Sequence, residues 1–225
     1  MKFKRRPVVA NDIYYCIQAD LIDYTRISGS NNRYSYILVV IDVLSKMLWT
    51  RAMLDKSAKT TSEHLDSIIS SMPRVPAFFS SDKGNEFSKT NRYTKAILVD
   101  KFKMQIFTMS GRTKGSVVER VNRTLKTNLQ RHFTETNTKR WVDVLQKFTT
   151  NYNRTYHSTI RMAPVDVTAD KVKQILSYVY PNSNKWVSCS PNPFKKGDRV
   201  RIPVQKKNIF VKGYAQSKLS YRYKG

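Results

Sequence analysis

Three apolar runs near the start of the chain alternate with the period of two that marks strands. They are "YYCIQADLIDY" from Tyr14 to Tyr24, "YSYILVVID" from Tyr34 to Asp42 and "KMLWTRAM" from Lys46 to Met53. Between them, "SGSNN" (Ser28 to Asn32) is rich in turn formers and "DVLSK" is short enough for a tight reversal, which predicts an antiparallel meander. The rhythm then changes. Ser57 can cap a helix running to about Met72, "VPAFFS" (Val75 to Ser80) is a short apolar strand, a second helix spans about Lys89 to Lys101, and "KMQIFTM" (Lys103 to Met109) is a last strand. Strands that alternate with helices pair in parallel through helical crossovers.

Gly111 and Gly115 bracket a loop, "GRTKG". From Val117 onward, Val118, Val121, Leu125 and Leu129 mark one apolar helix face, while Glu119, Arg123 and Lys126 fall on another. A further helix has Trp141, Leu145, Phe148 and Tyr152 as its stripe, and these read as core. The order βββαβαβα is that of ribonuclease H-like proteins: an α/β fold whose mixed five-stranded sheet is flanked by helices and sets the fourth strand beside the first. Beyond Tyr180, "PNSNKWVSCSPNPF" has the Pro, Asn and Ser content of a linker. The tail from Phe194 to Gly225 holds ten Lys and Arg against one acid, Asp198, and "FKKGDRVRIPV" within it reads as a turn leading into a strand of a small barrel. The expected organisation is a basic extension at 1–13, a core at 14–180, a linker at 181–193 and a partial basic β module at 194–225.

Charge changes the picture most. Against 16 acids the 225 residues carry 41 Lys and Arg, a net +25, where solubility asks for roughly 2 to 8. Such an excess points to a polyanionic partner, and nucleic acid is the commonest. No apolar run is long enough for a membrane span and no signal-peptide core follows Met1, so neither membrane insertion nor secretion is expected. Cys16 and Cys189 stand far apart and share no ligand spacing with His64, His132 or His157. Structural zinc is not expected, and the cysteine usage fits a reducing compartment.

Three carboxylates stand out by position. Asp20 and Ile22 share one face of the first strand and Asp23 the other. Asp82, in "SSDKGNEF", lies just past the end of the fourth strand, and Glu119 opens the helix after the fifth. If the first and fourth strands are neighbours, all three approach one edge. Like charges gathered in one pocket raise each other's pKa values, and divalent magnesium or manganese would relieve this, two such ions clamping both oxygens of a phosphodiester displacement. Glu119 has a competing reading, because Ser116-x-x-Glu119 also fits a capping box. Asp42 and Glu86, close to the motifs, read as solvated carboxylates.

At the level of motifs the chain resembles the retroviral-type DDE integrase core, and most closely the integrases of Maverick (Polinton) transposons and related transposon-derived proteins. "QADLID" resembles the first-aspartate motif, "VIDVLSK" the following hairpin, "SDKGNEF" the second-aspartate motif, "SVVERVNRTLK" the glutamate helix and "YNRTYHSTIRMAPVDV" the segment that ends such cores. The similarity covers about Tyr14 to Val167, with 36 residues between Asp82 and Glu119. Departures are Ile17 in place of a frequent tryptophan, Leu219 in place of an aromatic residue, and no His/Cys zinc module ahead of the core.

The resemblance implies that Asp20, Asp82 and Glu119 are the catalytic triad and hold two Mg²⁺ or Mn²⁺. It implies DNA contacts by Arg123 and Lys126, by Arg112 and Lys114 in the glycine loop, and by Lys195, Lys196, Arg199 and Arg201 in an SH3-like or chromo-like tail. The expected activity is 3′-end processing and strand transfer of a mobile element, by a homo-oligomer acting on element ends and target DNA, in the nucleus if the host is eukaryotic. A ribonuclease H-like nuclease and a domesticated, non-catalytic DNA-binding fragment are the alternatives.

Overall fold

The period-two runs become β1 (Cys16–Asp23), β2 (Tyr36–Asp42) and β3 (Leu48–Met53) in a computed structural model that describes residues 9–82, 84–108, 116–181, 201–203 and 221–223. β1 and β2 pair antiparallel, as do β2 and β3. Helix α1 (Ala58–Ser70) begins where expected, with Ser57 Oγ accepting the Thr60 N–H at 3.2 Å. It leads to β4 (Phe78–Ser81), which pairs in parallel with β1, setting Ile17 beside Phe79 and Gln18 beside Ser80. Asn91 caps a single turn, α2 (Arg92–Thr94), that widens into a π-helix, Lys95–Lys101. β5 (Gln105–Thr108) then pairs in parallel with β4. The five strands run β3-β2-β1-β4-β5, a mixed sheet compatible with a ribonuclease H-like fold.

Each face of this sheet is covered by its own helices. Ile17 and Ala19 of β1, with Leu38 and Val40 of β2, pack against Leu65, Ile68 and Ile69 of α1. Ile22, Ile37, Val39 and Ile41 point the other way, onto Val118, Val121, Leu125 and Leu129 of α3 (Ser116–Thr136) and Leu145 of α4 (Leu145–Arg154). The predicted α3 stripe is therefore buried along its length, each side chain contributing about 1.5–3 kcal/mol. Trp141 is fully buried with this group. It precedes α4 rather than lying on it, because the Asn31 side chain accepts the Trp141 and Val142 N–H groups and turns the chain there. A third cluster joins Cys16, Val43, Leu44 and Ile160 to Val172 and Ile175 of α5 (Val172–Val179).

Asp42 corrects the sequence reading. It is fully buried at the end of β2, with Oδ1 accepting the Tyr14 N–H and Oδ2 accepting both the N–H and the hydroxyl of Ser45. It fixes the β2–β3 turn. Burial outweighs these bonds and raises its pKa.

The chain divides after Pro181 into two units. Within the second, β6 (Arg201–Pro203) and β7 (Tyr221–Tyr223) pair antiparallel, with Ile202 opposite Arg222. The rest of the expected linker and SH3-like module lies outside the described residues. Among the described residues no helix is long and apolar enough to cross a membrane.

Candidate active site

Parallel pairing of β1 with β4 positions the first two carboxylates. The ladder that sets Gln18 beside Ser80 leaves Asp20 two residues beyond the first, within β1, and Asp82 two beyond the second, just past the end of β4. Asp20 shares the α3 face with Gln18 and Ile22. Its Oδ1 accepts the Leu21 N–H at 2.9 Å and its Oδ2 accepts Nδ2 of Asn122 at 2.7 Å. Asp82 is exposed and turns back on its own loop, where Oδ1 accepts the Gly84 N–H at 3.0 Å. Glu119 is exposed in the first turn of α3, on a flank beside the apolar stripe.

Electrostatics ties the three together. Burial raises the pKa of Asp20 above the usual carboxylate range, the Leu21 N–H opposes it, Asp82 and Glu119 push it further up, and Lys126 draws it down. In a chain of net charge +25, none of the three makes an ion pair among the described residues; the pairs found there are Arg74–Asp12, Lys101–Asp66 and Arg140–Asp143.

Asp20 and Glu119 open onto a cavity of about 680 Å³ that Arg123, Lys126 and Arg131 also line. Asp82 does not line it. Among the described residues no three His, Cys, Asp or Glu side chains stand close enough to hold an ion as they are. The donor set is nonetheless all oxygen, which suits a hard divalent cation. Two of its members are exposed side chains free to change rotamer, and Oδ1 of Asn122 is a buried acceptor without a partner beside Asp20. By that chemistry the residues fit Mg²⁺ or Mn²⁺.

Two site residues escape a reading of the sequence. Asn122 holds Asp20, and its only sequence signal is a polar residue one turn after Glu119 on the margin of an apolar stripe. Gln18 is fully buried on β1, where Oε1 accepts the Val118 N–H at 3.2 Å and so ties the first turn of α3 to the strand that carries Asp20. It satisfies one of the amides that a helix start leaves open. The Ser116 side chain, and with it the capping box, lies outside the described residues. So do the side chain of Arg201 and all of Arg112, Lys114, Lys195, Lys196 and Arg199.

No protein-family model matches the chain. A transposon-derived protein of Caenorhabditis elegans is 31% identical over 192 residues, which are 85% of this chain and 63% of that protein. The chain therefore spans under two thirds of the length of the relative it matches, and the similarity fits a transposon-related origin.

Proposed function

We propose that the chain is the core of a DDE integrase that processes the 3′ ends of a mobile element, of the Maverick/Polinton type, and joins them to target DNA. The observation that carries this reading is the electrostatic coupling of Asp20, within β1, to Asp82 past the end of β4 and to Glu119 in the first turn of α3, none of them ion-paired among the described residues, in a strongly basic chain. On this reading Asp20, Asp82 and Glu119 would hold two Mg²⁺ or Mn²⁺. When bound, such ions supply Lewis-acid activation of the attacking and leaving oxygens.

The protein's own groups do the rest. Asn122 fixes the Asp20 carboxylate through Oδ2, and the Gln18 bond to Val118 sets the height of Glu119 against β1. Arg123 and Lys126, on the same cavity, attract and orient a DNA end. The basic tail adds DNA affinity, assembly is homo-oligomeric, and the nucleus is the place of action in a eukaryotic host.

A disintegration assay tests the reading without the natural end sequence, by running strand transfer in reverse on a branched oligonucleotide with Mn²⁺. Activity of the wild type and its loss by more than about a hundredfold in Glu119→Gln, the scale on which single electrostatic groups act, is the expected result. Glutamine serves equally well in a capping box, so the variant's stability should stay within about 1 kcal/mol of wild type. Full activity of Glu119→Gln would return Glu119 to a capping role. Cleavage without strand-joined product would favour a nuclease, and DNA binding without either would favour a non-catalytic fragment.

A further inference from the structure

A second cavity, of about 400 Å³, opens on a different flank of α3, walled by the β2–β3 turn and by the segment after α4. It gathers Lys46, Arg120 and His157 with the hydroxyls of Tyr152, Thr124 and Ser158, and none of its lining residues is acidic. Lys46 is only 7% exposed and sits in the left-handed region at φ 62°, a conformation unusual for a side-chain-bearing residue. The turn enforces it: the Lys46 N–H donates to the Asp42 carbonyl at 3.1 Å, and the Asp42 carboxylate is held by Tyr14 and Ser45. The ammonium donates one hydrogen to the Val43 carbonyl. Among the described residues neither Lys46 nor Arg120 makes an ion pair.

Lys46 and Arg120 oppose one another. Burial, and then Arg120, push the Lys46 pKa down to about 8 against the pull of Asp42. Burial, Lys46 and Arg120 likewise hold His157 below its ordinary value. His157 Nδ1 accepts the Thr159 N–H at 3.3 Å, which leaves Nε2 to carry the ring proton. Burial raises the Tyr152 hydroxyl to about 12, so it stays a donor. Donors thus meet around one cavity whose lining holds no acid; Asp42, the acid that acts on Lys46, spends its carboxylate on Tyr14 and Ser45. A buried ammonium with an exposed guanidinium at the same cavity and no ion pair among the described residues is unfavourable alone and favours an anion.

We propose that this cavity binds a phosphate group, its oxygens held by Lys46, Arg120 and His157 together with the surrounding hydroxyls. A guanidinium and an ammonium side by side match the divided charge of that oxyanion. A phosphodiester of a nucleic-acid strand and free inorganic phosphate offer the same chemistry. The proposal stands apart from the carboxylate site and does not depend on its catalysis.

The test uses the intact chain. Its melting temperature is followed against inorganic phosphate at constant ionic strength with chloride, and a labelled single-stranded DNA oligonucleotide is titrated by fluorescence anisotropy. A saturable rise in melting temperature with phosphate, weakened about tenfold in Arg120→Ala and in His157→Gln, is expected. Arg120 is exposed and His157 only half-buried, so these variants stay folded where the buried Lys46→Gln would not. If the variants also lose oligonucleotide affinity and phosphate competes with the oligonucleotide, the strand is the source. If oligonucleotide binding is indifferent to both, free phosphate is. No saturable effect in the wild type, or an undiminished one in both variants, would overturn the proposal.

Discussion

Asp20→Asn removes a charge from the site while keeping its shape. In the wild type the carboxylate accepts two bonds, from the Leu21 N–H and from Nδ2 of Asn122, and Oδ1 of Asn122 is buried without a partner. The variant can keep both bonds if the Asn122 amide turns over, so that its oxygen accepts from the new amide while Leu21 keeps an oxygen acceptor. The number of hydrogen bonds is then unchanged, and one buried Asn122 atom remains unmatched as before. What is lost is charge assistance, about 1 kcal/mol for each bond. What is gained is relief from burial of a charge and from repulsion by Asp82 and Glu119.

The direction of the Asp20 pKa weighs these against each other. It is raised, so the folded state prefers the neutral side chain. At pH 7, with divalent ions chelated, the variant should be as stable as wild type or more stable by up to about 1 kcal/mol, the scale of an ordinary carboxyl perturbation after discount for the part that water reaches. The sign in pH follows. Because the folded pKa lies above the unfolded one, the contribution of Asp20 is favourable below the unfolded value and is lost as pH rises through the folded one. Urea melts of both proteins from pH 3.5 to 7 should therefore converge in acid and separate toward neutrality. With Mn²⁺ at a hundred times its dissociation constant the wild type should gain about 2.7 kcal/mol and the variant far less. A variant that is less stable than wild type by more than about 1 kcal/mol at pH 7 without metal, or a gap that does not change with pH, would refute the account of an electrostatically crowded Asp20.

Two further outcomes are expected. Gln18→Leu leaves the Val118 N–H unanswered in a buried first turn, and should lower the urea midpoint by an amount equivalent to about 1–3 kcal/mol; a loss below about 0.5 kcal/mol would remove this clip from the account of α3. The double variant Arg123→Ala/Lys126→Ala should stay within about 0.5 kcal/mol of wild-type stability while strand transfer falls, and its salt dependence of DNA binding should flatten by roughly 0.9 per lost phosphate contact. Unchanged joining and an unchanged salt slope would make these two residues a solvated face.

The sheet was legible because it is built from local rules. Alternation located β1, β2 and β3, the Ser57 cap located α1, the strand-helix alternation implied parallel pairing, and the ribonuclease H-like order set β4 beside β1. The α3 stripe was legible for the same reason: Val118, Val121, Leu125 and Leu129 repeat at helical spacing. What escaped depends on pairs far apart in sequence. Gln18 meets Val118 a hundred residues away, Asn122 meets Asp20 across 102, and Asn31 stops the chain before α4 by reaching Trp141 across 110. No local pattern encodes such meetings. Asp42 differs for a related reason: a carboxylate at a strand end is usually solvated, and here it is buried where the Tyr14 N–H, 28 residues away, reaches it.

The same distinction explains why, in a chain with 41 basic residues, the central carboxylates make no ion pair among the described residues. Gln18 and Asn122, neutral amides, are the side chains that bind β1 to α3 at this point, so geometry is fixed there without a counter-charge. Arg123 and Lys126 stand on the exposed flank, where water screens them; Lys126 lowers the Asp20 pKa, but burial and Asp82 outweigh it. Were an arginine to replace Asn122, it would neutralise Asp20 directly and close the site to any other cation. Amides hold the carboxylates in position while leaving their charge unanswered, and that is the condition a divalent ion, and after it a phosphodiester, would need. Asn122→Arg should accordingly pull the Asp20 pKa down and erase the Mn²⁺-dependent stabilisation seen in the wild type. If that stabilisation persisted undiminished in Asn122→Arg, the ion would have to bind elsewhere than at Asp20.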